Sequence, residues 1–240
     1  MIESVKITGD TMKKIILKSL VALMTTFIMS GCTAMNLGVK FLTFDGKTQE
    51  SYAAMMDVVY EEGDPAQAMM LEWLITDAEL TEEDVFDEMK DLAGEYNMRF
   101  VGEKNMFRLL DKEVENYKKA GYTDIIVHAR IAEFCSLSIA KEMMNHSRYY
   151  GGFMPCRVIY VEYEDGRRYL ISMDMTLALY GGTDVKPIKP ALMDNMKNVM
   201  KAMQEIPLKA AGYDEQAEAD AAITEYYKEH GINERLPELK

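Results

Sequence analysis

The segment from residue 133 to residue 157 concentrates the side chains of this chain that could do chemistry. It contains two of the three cysteines, Cys135 and Cys156, and one of the three histidines, His146. Thiols and imidazole can bind a soft metal, and two thiols can form a disulfide or a redox pair. The cysteines stand too far apart for a Cys-x-x-Cys redox motif, and no c-type haem attachment motif is present. The chemistry of this segment therefore depends on the fold.

Whether Cys135 and Cys156 can pair depends on the direction of the strands beside them. Cys135 is expected where a strand passes into a helix, and the N–H groups and dipole of that helix would lower the pKa of the thiol. Parallel strands would place the cysteines at opposite ends of the sheet, whereas antiparallel strands would place both at one end. A disulfide needs Cα atoms within about 7 Å. The alternatives are a disulfide, two buried thiols and a functional thiol site.

Methionine supplies further soft ligands, and the chain has 21 methionines. Met173 and Met175 point to the same side of a predicted strand, because side chains alternate along a strand. With Met154, Cys156 and His146 they form a candidate site for Cu(I), and haem is the other cofactor considered. Core packing explains the same residues, since methionine fills irregular gaps. No cofactor is therefore predicted, with copper or haem as the alternative.

Signatures of the common enzyme classes do not occur in the sequence. There is no Gly-x-Ser-x-Gly motif, no Walker motif and no dinucleotide-binding fingerprint. No four ligands have the short spacing of a structural zinc site. These observations favour a protein without catalytic activity, and no catalytic residue is predicted.

The third cysteine, Cys32, ends a stretch that is typical of a bacterial lipoprotein leader. Lysines follow Met12, and an apolar run comes next that is shorter than the roughly 20 residues of a membrane span. The run ends in Met29-Ser30-Gly31-Cys32, which resembles a lipobox. Residues 1–32 are therefore expected to be a signal peptide, with Met12 as the true start and Cys32 diacylated by fatty acids such as palmitate. Two acyl chains would anchor the protein stably to a membrane.

Charge and the residue after the lipobox bear on partners and location. The formal net charge is −13, and a surface of this sign repels nucleic acid and anionic headgroups. The lipid, rather than a basic patch, would then hold the protein at the membrane. Residue 33 is Thr, not the Asp that resembles an inner-membrane retention signal, which favours the outer membrane and its periplasmic side.

Hydrophobic periodicity and turn signals predict alternating helices and strands. The predicted helices are 47–62, 65–75, 81–96, 106–119, a segment of about ten residues from Ser136 to His146, 191–204 and 214–229. The predicted strands are 98–102, 124–134, 157–164 and 169–175. Their inward residues are expected to be Ile125, Val127, Ala129, Ile131, Ile159, Val161 and Tyr163.

This order predicts an α+β fold, with a mostly antiparallel sheet and helices on one face. A detached N-terminal signal helix and a peripheral C-terminal helix are expected beside it. The predicted parts are the leader 1–32, a tether with N-terminal helices 33–79, an α+β domain 80–205 and an acidic helical tail 206–240. Glu164-Asp165-Gly166-Arg167 predicts a hairpin with a type I′ turn.

Four local patterns together resemble the bacterial domain of unknown function 302 family. They are Asn97-Met98-Arg99-Phe100-Val101-Gly102, Phe134-Cys135, Met154-Pro155-Cys156-Arg157, and Asp165-Gly166 followed by Met173-Asp174-Met175. The resemblance covers about residues 80–205. It implies a compact α+β fold that tends to form homodimers, and it implies no established activity.

The leading functional prediction is a lipid-anchored periplasmic protein that binds a small ligand or acts as an accessory protein. Thiol-based redox or sulfur handling through Cys135 and Cys156 is one alternative. Copper or haem binding is the other.

Overall fold

The computed structural model describes residues 38–39, 41–180 and 187–232. The predicted lipobox with Cys32 lies outside the described residues. The chain forms two compact units, residues 1–49 and 50–240. In the first unit Thr48 is buried, and its backbone N–H and hydroxyl donate to the carboxylate of Asp45 at 3.0 and 2.7 Å.

A five-stranded antiparallel sheet organises the second unit. The strands are β1 Met70–Leu74, β2 Arg99–Arg108, β3 Ile126–Cys135, β4 Cys156–Tyr163 and β5 Arg168–Met173. Their order across the sheet is β1-β5-β4-β3-β2, and each neighbouring pair is antiparallel. The predicted α+β class with a mostly antiparallel sheet is confirmed.

Two long helices cover one face of this sheet. The helices of the described chain are α1 Gly46–Glu62, α2 Glu82–Glu95, α3 Asp111–Lys119, α4 Leu137–His146, α5 Thr176–Tyr180, α6 Pro190–Ala210 and α7 Gln216–His230. Phe86 and Met89 of α2 and Ile206 of α6 have no exposed surface and belong to the same core cluster as Phe134 and Tyr160 of the sheet. Removing this apolar surface from water is the main stabilisation of the domain.

Helix α2 begins as its sequence predicts. The N–H of Asp84 donates to Oγ1 of Thr81 at 3.2 Å, and the N–H of Thr81 donates to Asp84 at 3.0 Å. This capping box satisfies two N–H groups that the first turn would otherwise leave unpaired.

The predicted helix over 65–75 is wrong, because residues 70–74 form edge strand β1. Met70 pairs with Met173 and Leu74 with Tyr169 of β5, and Trp73 is buried in the main core. The first predicted strand is also longer than expected: β2 continues to Arg108, so the next helix starts at Asp111 rather than at residue 106. Long-range pairing decides both segments, and local periodicity does not reveal it.

The sheet face that packs on α2 and α6 is the opposite of the predicted inward face. The side chains that are fully buried in the main core are Ala132 and Phe134 of β3 and Val158 and Tyr160 of β4. The predicted residues Ile131 and Ile159 are only half-buried on the other face, where Ala129 and Val161 join a smaller cluster. The helix-facing side of β3 also carries His128 and Arg130. Because these residues are polar, the sequence does not indicate that this side faces the core.

The predicted hairpin between β4 and β5 is present, but its turn is not type I′. Of the two central residues only Gly166 has a positive φ, 91°, and its N–H donates to the carbonyl of Tyr163 at 3.0 Å. The N–H of Tyr163 donates in turn to the carbonyl of Arg167 at 2.8 Å. Three residues therefore connect the strands, and the last of them is a left-handed glycine, as in a common three-residue hairpin connection.

The C-terminal helix α7 lies beside the edge strand β1 and contributes more to the core than its sequence predicts. Ile223 and Tyr227 are buried, and the hydroxyl oxygens of Tyr227 and Tyr169 are 3.1 Å apart. The indole Nε1 of Trp73 donates to Gln216 at 2.9 Å. The part of the tail that the structure describes is therefore a docked element.

Candidate binding site at one end of the sheet

The antiparallel sheet brings both predicted cysteines to the same end. Cys156 is the first residue of β4 and lies opposite Phe134, the residue that precedes Cys135 at the end of β3. Facing residues in an antiparallel pair have Cα atoms about 4.5–5.5 Å apart. Both thiols are free in this structure and half-buried. The fold thus brings the two thiols close together, and no disulfide joins them.

Burial makes both thiols weaker acids. It raises the pKa of Cys156 to about 11, and the nearby Cys135 adds to the effect. Burial also raises the pKa of Cys135. The expected lowering of the Cys135 pKa by the following helix is therefore wrong, because desolvation of the charged form dominates at this position.

Six sulfur-containing side chains surround a small cavity at this end of the sheet. They are Met98, Cys135, Met143, Met154, Cys156 and Met175. The cavity measures about 20 Å³, close to the roughly 10–15 Å³ that one water molecule requires. We call it the sulfur cavity. It has room for one atom-sized occupant and for no organic ligand.

Strands β2 to β5 and helix α4 bring these residues together. The residues Met98 and Cys135 lie next to each other because Arg99 of β2 pairs with Cys135 of β3. Helix α4 follows β3 and turns Met143 inward, where it is 3% exposed. The residue Met175 follows β5 and is 8% exposed. Strand pairing and one helix therefore assemble the sulfur cavity from distant parts of the sequence.

A larger apolar cleft adjoins the sulfur cavity and shares Phe153, Cys156 and Met175 with it. Its volume is about 180 Å³, below the roughly 300–1,000 Å³ of sites for drug-sized ligands. The other lining residues are Met70, Ile131, Pro155, Arg157, Ile159, Ile171, Ser172, Met173 and Met203. Among these described lining residues Arg157 is the one that carries a charge.

The structure separates the soft ligands that the sequence grouped together. Met154 and Met175 line the sulfur cavity with Cys156, whereas Met173 lines only the cleft. His146 ends α4 with its ring 6.2 Å from that of Tyr150, and it lines neither space. Within the described ranges, no three His, Cys, Asp or Glu side chains are grouped as a metal site. The predicted set with His146 and Met173 is therefore not assembled.

Met98 and Met143 are the sulfur-bearing lining residues that sequence reasoning missed. Met98 directly precedes a strand, and Met143 follows Ile139 and Ala140 on the inner side of α4. The helical spacing of Met143 was visible in the sequence. The proximity of Met98 to Cys135 was not, because it depends on the register of β2 against β3.

A group of charged and polar side chains, separate from the cleft and the sulfur cavity, lies on the helix-facing side of the sheet, where α2 meets β3. Nε2 of His128 is 3.0 Å from Oε1 of Glu82, and Nη1 of Arg130 donates to the same oxygen at 3.0 Å. Arg130 also pairs with Glu83 and Glu103 at 2.9 and 3.1 Å. Hydrogen bonding and ion pairing among these residues indicate a structural role, and they line neither the sulfur cavity nor the apolar cleft.

A wider depression in the described surface has a different character. It measures about 500 Å³ and lies between β4 and α3, with Asp111, Glu115, Glu162 and Glu164 in its lining. Arg108 is the basic residue among its described lining residues. Its polar, open lining is that of solvated surface, so the apolar cleft and the sulfur cavity are the better candidate site.

Fold and site together define a small antiparallel α+β domain with an apolar binding space at one end of its sheet. The family described as "Domain of unknown function DUF302" matches residues 76–206, more than half of the chain. The chain belongs to this family. The resemblance in the sequence is thereby confirmed for the domain.

The chain is similar to a structure titled "Crystal structure of uncharacterized conserved protein DUF302 from Bacillus stearothermophilus", at 13% identity and a TM-score of 0.39. The similarity covers 58% of this chain and 95% of that chain. A search of curated proteins found no match. In the part of the chain that the structure describes, no helix has the length and apolar character needed to cross a membrane.

Proposed function

We propose that this protein is a lipid-anchored binding protein, which holds a small amphipathic ligand in the apolar cleft at the end of its sheet. The observation that carries this proposal is the cleft lining, in which apolar side chains converge and Arg157 supplies the charge. Such a combination suits a ligand with a short apolar body and one anionic group. The proposed anchor is Cys32, with the outer membrane, facing the periplasm, as the location.

The cleft is suited to binding rather than to turnover. Its lining contains no histidine and no carboxylate among the described residues, so a general base is missing from them. The proposal therefore assigns no catalytic residue.

Hexanoate, with 1-hexanol as its uncharged analogue, tests the proposal by calorimetric titration of the full-length chain. Hexanoate should bind saturably and more tightly than 1-hexanol, because Arg157 can pair with its carboxylate. Arg157→Gln should weaken hexanoate binding by about fivefold, corresponding to a charged hydrogen bond worth about 1 kcal/mol. The binding of 1-hexanol should not change.

The matched control is Arg99→Gln, which removes an exposed arginine on β2 that does not line the cleft. This variant should bind hexanoate as the unmodified protein does. An equal loss in both arginine variants would show a general charge effect and overturn the role of the cleft. Ile171 lines the cleft, so Ile171→Glu tests the same point. Hexanoate binding that is unchanged in this variant would also overturn the role of the cleft.

Thiol-based redox chemistry is the second candidate function, and the placement of both cysteines at one end of the sheet favours it. The raised pKa of each thiol opposes it, because the thiolate is the nucleophile in such reactions. The homodimer implied by the family resemblance stays a prediction, and light scattering of the purified protein would measure it.

A further inference from the structure

We propose that the sulfur cavity binds one Cu(I) ion, held by thioethers and by one cysteine thiolate. The candidate ligands are the six residues that surround the cavity: Met98, Cys135, Met143, Met154, Cys156 and Met175. This site lies beside the proposed ligand cleft and does not depend on it.

The first reason is size. A cavity of about 20 Å³ accepts a particle the size of one water molecule. A water molecule would need two to four polar partners, and the lining offers only thiols and Ser136 for that purpose among the described residues. A single ion with soft ligands matches the space and its walls better.

The second reason is ligand chemistry. Thioether and thiolate sulfur select Cu(I) over harder cations. Zinc normally takes four charged or imidazole ligands, whereas the described lining offers two cysteines and neutral methionines. Four of the six sulfur atoms belong to methionine.

The third reason is charge. A buried charge must be neutralised, and three of the surrounding methionines, Met98, Met143 and Met175, are at most 8% exposed. When Cu(I) binds, one thiol loses its proton to solvent and its sulfur forms the Cu–S bond. One positive ion and one thiolate leave the cavity with no net charge. A divalent ion would leave the cavity neutral only if both thiols lost their protons.

The adjoining cleft provides access. Cys156 and Met175 line both spaces, and Phe153 lies between the cleft and the cavity as a shared wall residue, 38% exposed. Exchange of an ion through a wall of sulfur ligands requires only side-chain rotation, for which methionine is well suited.

The test uses the full-length chain with Cys32→Ser, so that the third thiol cannot bind copper. The reduced protein is titrated anaerobically with Cu(I) in competition with the chelator bicinchoninate. The expected result is one Cu(I) per chain with a first coordination shell of sulfur alone in X-ray absorption. The double variant Met143→Leu/Met175→Leu keeps side-chain volume and should weaken Cu(I) binding at least about tenfold, a loss of about 1.4 kcal/mol.

Met89→Leu is the matched control, because Met89 is buried in the main core and does not line the cavity. It should leave the Cu(I) affinity unchanged. Cys156→Ser should weaken binding further than the double methionine variant, and thermal unfolding confirms that each variant is folded. The proposal is overturned if bicinchoninate removes all Cu(I), if nitrogen or oxygen dominates the shell, or if the double variant binds as tightly as the control.

Discussion

His128 and Glu82 form a buried hydrogen bond between strand β3 and helix α2, with 3.0 Å between Nε2 and Oε1. The other ring nitrogen, Nδ1, is 2.8 Å from the carbonyl oxygen of Phe107. A carbonyl and an ionised carboxylate both accept hydrogen bonds only. Both ring nitrogens of His128 therefore have hydrogen-bond partners, and the ring links β3 to the start of α2.

Glu82→Gln should destabilise the domain by about 2–3 kcal/mol at pH 7, because it removes the carboxylate that pairs with Arg130 and contacts His128 in a largely buried place. Burial by itself would raise the pKa of Glu82, but hydrogen bonds from His128 and Arg130 outweigh it and hold the pKa below its usual value of 4.5. A carboxylate with a lowered pKa stabilises the fold above its unfolded pKa. This stability is lost as the pH falls from about 4.5 through the folded pKa.

Urea denaturation at pH 7 and again at pH 4 and below measures this difference. The gap between the unmodified protein and Glu82→Gln should shrink on acidification. Glu83→Gln is the matched control, because Glu83 also pairs with Arg130 but is 71% exposed; exposed pairs contribute at most about 1 kcal/mol. Equal losses in the two variants would contradict a special role for Glu82.

Ile223→Ala should destabilise the domain by about 2–4 kcal/mol, because it opens a cavity between α7 and the sheet. Ile223 is 3% exposed and belongs to the cluster with Tyr169 and Tyr227. Thermal unfolding of this variant is compared with that of Glu225→Ala, an exposed change on the same helix. The surface variant should change the free energy of unfolding by less than about 0.5 kcal/mol. A loss as small as this in Ile223→Ala would mean that α7 is not docked in solution.

Both domain thiols should react slowly with iodoacetamide at pH 7.5 in the reduced, metal-free protein. Burial raises the pKa of Cys135 and raises that of Cys156 to about 11, so the reactive thiolate is scarce at neutral pH. Peptide mapping should show slower alkylation of each than of glutathione, with rates that rise as the pH increases. The same protein in urea is the control. Alkylation of Cys135 as fast as in urea would favour the thiol redox function instead.

Cys32→Ser should yield a precursor that keeps its leader and carries no lipid, because acylation and cleavage both require the cysteine. The intact mass of membrane-extracted protein measures this. The unmodified chain should begin at Cys32 and carry acyl groups, each buried methylene adding about 0.8 kcal/mol of membrane binding. Thr33→Ala should be processed as the unmodified chain is. An unlipidated chain that starts at Met1 or Met12 would contradict the predicted anchor.

The charged side of β3 shows why the alternation of apolar residues along this strand did not identify the face that packs on α2 and α6. In the sequence, the apolar residues before and after His128 and Arg130 favour the face that carries Ala129 and Ile131. The structure places the main core on the other face, where Glu82, Glu83 and Glu103 pair with these two residues. These acids come from α2 and β2, so the cost of burying the bases cannot be judged from β3 alone.

Features whose physical causes lie within a few residues could be predicted from the sequence. The capping box of α2, the β4–β5 hairpin, the methionine-bearing helix α6 and the α+β class follow from local propensity and periodicity, and the structure has them all. The family membership of residues 76–206 likewise followed from short patterns in order along the chain.

Tertiary structure alone decided the strand β1, the buried face of the sheet and the composition of the sulfur cavity. Each depends on which strands pair and in what register, since Arg99 opposite Cys135 and Phe134 opposite Cys156 place Met98 and both thiols together. Such pairing is stabilised by contacts between residues far apart in the sequence. Its energy therefore cannot be judged from any short segment of the chain. The cysteines were visible as candidates, but only the antiparallel register could bring them to one end.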